Sequence, residues 1–227
     1  MAVSGSNDFE LDVADYIEEA FERCGLEVRT GYDLKTAKRS LNLMLADWAN
    51  RGLNRWTIQQ TTTTTSSGTL EYNLGTDTID VLSAVIRTGT GTNQSDTTLT
   101  RLSRDAYINV PNKNTQAKPN QYYIDRQINP VLKLYPTPDD TYSIVYDRLV
   151  RMDDADTFTN TLDMPFRFYP CLSAGLAYYI ALKRAPERIQ MLKAVYEEEF
   201  ERAAAEDRDR ASSVSYTHLR AHETETN

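Results

Sequence analysis

Imidazole, thiol and clustered carboxylate are the groups with which a protein most readily does chemistry, and this chain holds few of them. Its two histidines, His218 and His222, stand four apart. On a helix that spacing sets both rings on one face, where with Glu223 they could hold a metal. A third protein ligand and an apolar core beside them are missing from the stretch. The two thiols, Cys24 and Cys171, are too few for a disulfide framework or a cysteine zinc site and read as buried thiols in a reducing compartment. Cys171 falls near a helix start, where a thiolate is favoured, but it sits among Phe168, Leu172 and Leu176 and reads as core. Asp153, Asp154 and Asp156 cluster in a predicted loop. Carboxylates so placed could serve glycoside cleavage or calcium, yet the run lacks the Gly and terminal Glu of an EF-hand loop and reads as solvated surface. Gly89 to Asp96 reads as a hairpin tip, since a phosphate cradle needs a helix start and a nearby Lys.

The final stretch, residues 214–227, contains SYTHLRAHET, which looks like the translation of a short-read sequencing adapter. It reads as non-native, with the natural C-terminus missing, and is set aside from the fold. What remains has no histidine, so neither a Ser-His-Asp nor a Cys-His arrangement can be built. The chain reads as no enzyme, with no catalytic residue, no metal and no cofactor.

The elements that must position any site are readable from periodicity. Apolar residues make up 40% of the 227 and charged ones 26%, an ordinary globular composition. A chain of this length supports one core or two small ones. No apolar run reaches the roughly 20 residues that cross a bilayer, and the acidic opening Asp8, Glu10, Asp12 is unlike a secretory leader. A net charge of −8 argues against broad phosphate binding, which needs clustered Lys and Arg. It suits a wall past which DNA slides without sticking.

The first helix is expected over 8–24, with Phe9, Val13, Ile17, Ala20, Phe21 and Cys24 on one stripe, an Asn7/Glu10 capping box and a left-handed stop at Gly25. A second is expected from a cap at Asp33 through Leu41, Met44, Leu45 and Trp48 to Arg51, antiparallel to the first. Thr-rich alternation then predicts strands at 57–65, 69–73, 79–88, 97–101, 122–126, 131–135 and 141–149, with a short capped helix at 103–109. Helix returns at Met164-Pro165 and runs to Arg184. Pro170 must kink it or mark its true start, and Gly175 implies close packing of a neighbour. A last helix from Pro186 carries Ile189, Leu192, Tyr196 and Phe200 on one stripe, and its end from Ala203 to Ala211 either frays or packs on something outside the subunit. The expected architecture is α+β: an antiparallel helical bundle (residues 1–56 and 161–213) split by an inserted antiparallel β lobe (57–160).

The chain has 14 tyrosines. Tyr122, Tyr123, Tyr135, Tyr142 and Tyr146 fall on the predicted sheet, where aromatics pack across strands or meet a carbohydrate or another subunit.

Sequence detail adds a resemblance. Lys118-Pro-Asn-Gln-Tyr-Tyr-Ile-Asp-Arg126, then Leu132-Lys-Leu-Tyr-Pro-Thr-Pro-Asp-Asp-Thr-Tyr142, Val145-Tyr146, Met164-Pro165 and Gly175-Leu-Ala-Tyr-Tyr-Ile-Ala181 resemble head-to-tail adaptors of short-tailed phages, also called tail accessory factors or tail tubular proteins A. The resemblance spans most of 8–213. It implies a structural protein at the head-tail junction of the virion, made in the host cytoplasm and touching no membrane. It implies a ring of twelve copies that docks beneath the portal, receives the nozzle or tail tube proteins and lines the channel for passing DNA. The helix from Pro186 would climb onto the portal. Arg202, Arg208 and Arg210 are candidate portal contacts, because Arg pairs bidentately with carboxylates. Two other readings stay open: a carbohydrate-binding or cell-wall-cleaving tail component using the Tyr-rich lobe and the Asp153 cluster, and a cytosolic helical binding module.

Overall fold

The computed structural model describes residues 5, 9–51 and 55–207. Among these residues are five α-helices: α1 (Val13–Arg23), α2 (Gly31–Arg51), α3 (Arg104–Ile108), α4 (Tyr169–Arg184) and α5 (Ile189–Asp207). The strands are β1 (Ile58–Thr64), β2 (Glu71–Asn73), β3 (Thr78–Thr88), β4 (Ser95–Thr98), β5 (Thr100–Arg101), β6 (Gln121–Asp125), β7 (Val131–Tyr135) and β8 (Ser143–Val150). The class is α+β. The chain divides into two compact units, one built from the residues up to Arg55 together with those from Ala155 onward, the other from Trp56–Asp154.

In the helical unit α4 is the hub, packed by α1, α2 and α5 and buried without interruption from Cys171 to Ala177. Such a helix has no polar face to offer solvent. Pro170 stands in its first turn, where a missing N–H costs nothing, and so marks the true start of the helix. Gly175 is there for space. A Cβ on it would lie 2.5 Å from Met44 Sδ and 2.8 Å from the Tyr196 ring, so α2 and α5 both approach through this one position.

Helix α1 begins later than its periodicity suggests. The pattern through Phe9, Val13 and Ile17 extends past the true start, which lies at Asp12. Asp12 and Asp15 form a reciprocal capping box, while the amides of Val13 and Ala14 bond to the carbonyls of Asn160 and Phe158. The first-turn donors are thereby satisfied without further helix. Phe9 is 71% exposed, off the buried stripe; Asn7 lies outside the described residues. Gly25 takes the expected left-handed conformation at φ 69°.

The start of α2 also differs from expectation. Thr30 is its cap: the Thr30 hydroxyl accepts from the Asp33 amide, and the Asp33 carboxylate accepts from the Thr30 amide and hydroxyl. Asp33 is the third residue of the box and is also bound by Arg184 at 2.6 Å. Burial works against the Asp33 carboxylate. The donors from Thr30, the Arg29 amide and Arg184 outweigh it and hold the carboxyl below the ordinary aspartate value.

The end of α5 packs on its own unit, contrary to expectation, as far as it is described. Ala203 is buried, and the nearly covered Asp207 carboxylate accepts from Arg167 in the turn before α4.

The β unit contains two four-stranded sheets, ordered β1-β8-β3-β4 and β2-β7-β6-β5. One cluster holds them together: Val81, Ala84 and Ile86 of β3 and Ile144 and Tyr146 of β8 meet Tyr122, Ile124, Leu132 and Leu134 of β6 and β7. The lobe is not wholly antiparallel, as β5 runs parallel to β6. Leu99 turns into the core between β4 and β5, so the chain passes from one sheet directly to the other without a hairpin. Asp80 ties the two sheets where β3 is irregular in register. It accepts from Arg101 at 2.8 and 3.1 Å and from Arg126, and Arg101 also bonds the Val81 carbonyl. Ser103 caps α3 as expected.

Candidate functional site

Among the described residues no reactive constellation assembles. Cys24 is buried, its Sγ donating to the Ala177 carbonyl at 3.2 Å. Burial raises its pKa against the pull of the nearby Arg188. Cys171 is wholly buried, and burial, reinforced by the Glu199 carboxylate, pushes its thiol up to about 12. Neither thiol is a ready nucleophile at neutral pH. Asp153, Asp154 and Asp156 are exposed. Among the described residues no group of three or more His, Cys, Asp or Glu is placed to hold a metal, and no helix is long and apolar enough to cross a membrane. His218, His222 and Glu223 lie outside the described residues.

Four of the five sheet tyrosines are taken up by the fold. Tyr122 and Tyr146 are core residues, and Tyr123 stacks on Tyr107 with ring centroids 4.8 Å apart. Tyr142 donates to Asp139 at 2.7 Å, a bond that with burial pushes the phenol up to about 12.

What the helical unit offers instead is contact surface. A groove of about 580 Å³ runs beside α1 and the start of α4, lined by Phe9, Leu11, Tyr169, Pro170 and Ser173 and by Asp15, Glu18, Glu19, Glu22 and Arg23. Asp15 is used in the cap and Glu19 pairs with Arg23 at 2.7 Å. Glu18 and Glu22 have no cationic partner among the described residues. On α2, Tyr32, Lys35, Arg39 and Leu43 form one exposed stripe at spacings of three and four, with Tyr32 70% and Leu43 57% exposed. Here Lys38 is occupied, donating to the Asp156 carbonyl at 2.7 Å and lying over the Phe158 ring. Lys35 and Arg39 have no anionic partner among the described residues.

Near the end of α2, Arg51 lies over the rings of Phe200 and Tyr196, at 4.6 and 5.3 Å from their centroids, and pairs with Asp47 and Glu197. Sequence reading did not find this cluster; the apolar stripe of α5 gave no sign that a cation from α2 would cover it.

Of the three candidate contact arginines, Arg202 is described. It is exposed on α5 but engaged within its own helix, at 2.9 Å from Glu198 and 3.1 Å from Glu199. The spacing to both glutamates was legible beforehand. Arg208 and Arg210 lie outside the described residues.

The chain thus buries both thiols and leaves helical faces of both charge signs open. No curated protein matches it. Residues 10–221 match the family model described as SU10 adaptor protein, a match that covers both compact units and ends inside the segment 214–227. The chain therefore belongs to the SU10 adaptor protein family, a head-to-tail adaptor family of phages.

Proposed function

We propose that this protein is a structural virion component that joins head to tail as a ring between the portal and the nozzle or tail tube proteins. The family match over residues 10–221 carries this reading. The ring is expected to hold twelve copies and to line the channel through which the genome leaves at ejection, as in a podovirus. Its helical bundle, split by the inserted β lobe, supplies the ring contacts, and the lobe faces outward or toward the tail. A net charge of −8 fits a wall that lets DNA pass without specific binding.

Portal contact is assigned to the end of α5 and the segment beyond it, with Arg202, Arg208 and Arg210 as the contacting cations. Arg202 would exchange its bonds to Glu198 and Glu199 for carboxylates of the portal. Charge reversal at all three that left portal binding intact would overturn that assignment. The adaptor reading itself is tested by mixing the full chain with the portal ring encoded beside it and imaging and weighing the product. A stacked ring of matching symmetry supports the reading; two species that stay apart at micromolar concentration refute it.

A further inference from the structure

We infer that the acidic groove beside α1 and the exposed stripe of α2 are the two halves of one contact between copies of this chain: the groove of one copy receives α2 of the next. The inference rests on the ring reading and names the surfaces that reading leaves open.

Charge complementarity carries the argument. The groove presents Glu18 and Glu22, four apart on α1 and without a cation, together with apolar lining that includes the 71% exposed Phe9. The stripe presents Lys35 and Arg39, four apart on α2 and without an anion, flanked by Tyr32 and Leu43. Residues four apart on a helix stand about 5–6 Å apart at Cβ, so the carboxylates and the cations have the same rung spacing. Apolar groups lie beside the charges on both faces, Tyr32 and Leu43 on the stripe and Phe9 in the groove, so the contact buries apolar area together with the ion pairs. The two faces differ, so the contact is heterologous: each copy offers one face forward and the other back, which closes into a ring when the rotation allows. Neither face asks its copy to give up a bond it already makes, because the capping Asp15, the paired Glu19 and the engaged Lys38 stand outside the exchange.

The test is a charge swap on the full chain, alone and with the portal ring, read by mass photometry at low and at physiological salt. Glu18→Lys with Glu22→Lys, and separately Lys35→Glu with Arg39→Glu, are each expected to abolish the ring, and the fourfold variant to restore it. Circular dichroism melting of each variant distinguishes lost contact from lost fold, and all four side chains are open enough to be exchanged without disturbing the core. Rings that form equally well in both double variants overturn the pairing and leave the ring reading standing. A wild-type chain that stays monomeric both alone and on the portal overturns the two together.

Discussion

The indole Nε1 of Trp48 donates to the hydroxyl of Tyr196 at 2.7 Å. Trp48 is on α2 and Tyr196 on α5, and both are almost wholly buried. The bond joins two helices that also meet through the rings of Trp48 and Phe200, 5.6 Å apart between centroids, and through the Arg51–Glu197 pair. Tyr196→Phe keeps the packing and strands the indole N–H. Its cost is expected at about 1–3 kcal/mol, the desolvation of one buried donor, measured by urea unfolding followed by Trp fluorescence. An unchanged midpoint would mean that the bond contributes nothing net.

Gly175→Ala tests the close approach. The new methyl meets Met44 Sδ, which can swing aside, and the Tyr196 ring, which the Trp48 bond holds in place. Overpacking of this kind costs about 1–3 kcal/mol. Combining it with Tyr196→Phe is expected to cost less than the sum of the two, because the freed ring can yield.

Asp33 sets an acid limit. Its folded-state pKa is lowered, so its stabilising effect is fully present above the unfolded value of about 3.9 and is lost as pH falls through the lower folded value. Melting temperature is expected to decline below about pH 4. Asp33→Asn should lower the melting temperature at neutral pH and flatten that decline.

Both thiols should be silent in the native protein. With the Cys171 pKa raised to about 12 and Cys24 also raised by burial, maleimide labelling at pH 7 is expected to be slow in buffer and complete in denaturant. Rapid native labelling of either cysteine would contradict the burial described.

Asp80→Ala removes the acceptor for two arginines and for the Val81 amide. A loss of about 1.5–3 kcal/mol is expected from hydrogen bonds to a charged group. Hydrogen exchange should speed up over β3 and β5 before it changes in α4.

Much of the fold was legible because its signals are local. Thr-rich alternation predicted the strands, except that 97–101, read as one, is two strands in different sheets; Pro170 allowed a kink or a start and proves to be in the first turn of α4, later than the expected Met164; and Gly175 implied a close approach that the structure assigns to Met44 and Tyr196. Phe9 was misread because a helical period has no built-in end; the reciprocal Asp12 and Asp15 cap, spaced three apart, is the stop signal, and Thr30 with Asp33 repeats it at α2. The Asp80 cluster was not legible. Its partners stand 21 and 46 residues away, and only the packing of one sheet on the other brings them together. The same holds for Arg51 over Phe200, and for the groove and the stripe, which become surfaces only once α4 has taken up the apolar faces of α1 and α2.

That dependence on α4 carries a cost during synthesis. Helices α1 and α2 leave the ribosome before the helix they close upon exists, and residues 56–154 must be made in between. At about 5–20 residues per second, their apolar faces wait on the order of ten seconds with only each other for cover. The β unit has all its partners within one continuous stretch and can settle meanwhile. Vectorial synthesis thus lets the β unit complete its contacts before the helical unit can. A nascent chain halted before Tyr169 is expected to be cut by protease faster than the finished chain, at α1 and α2.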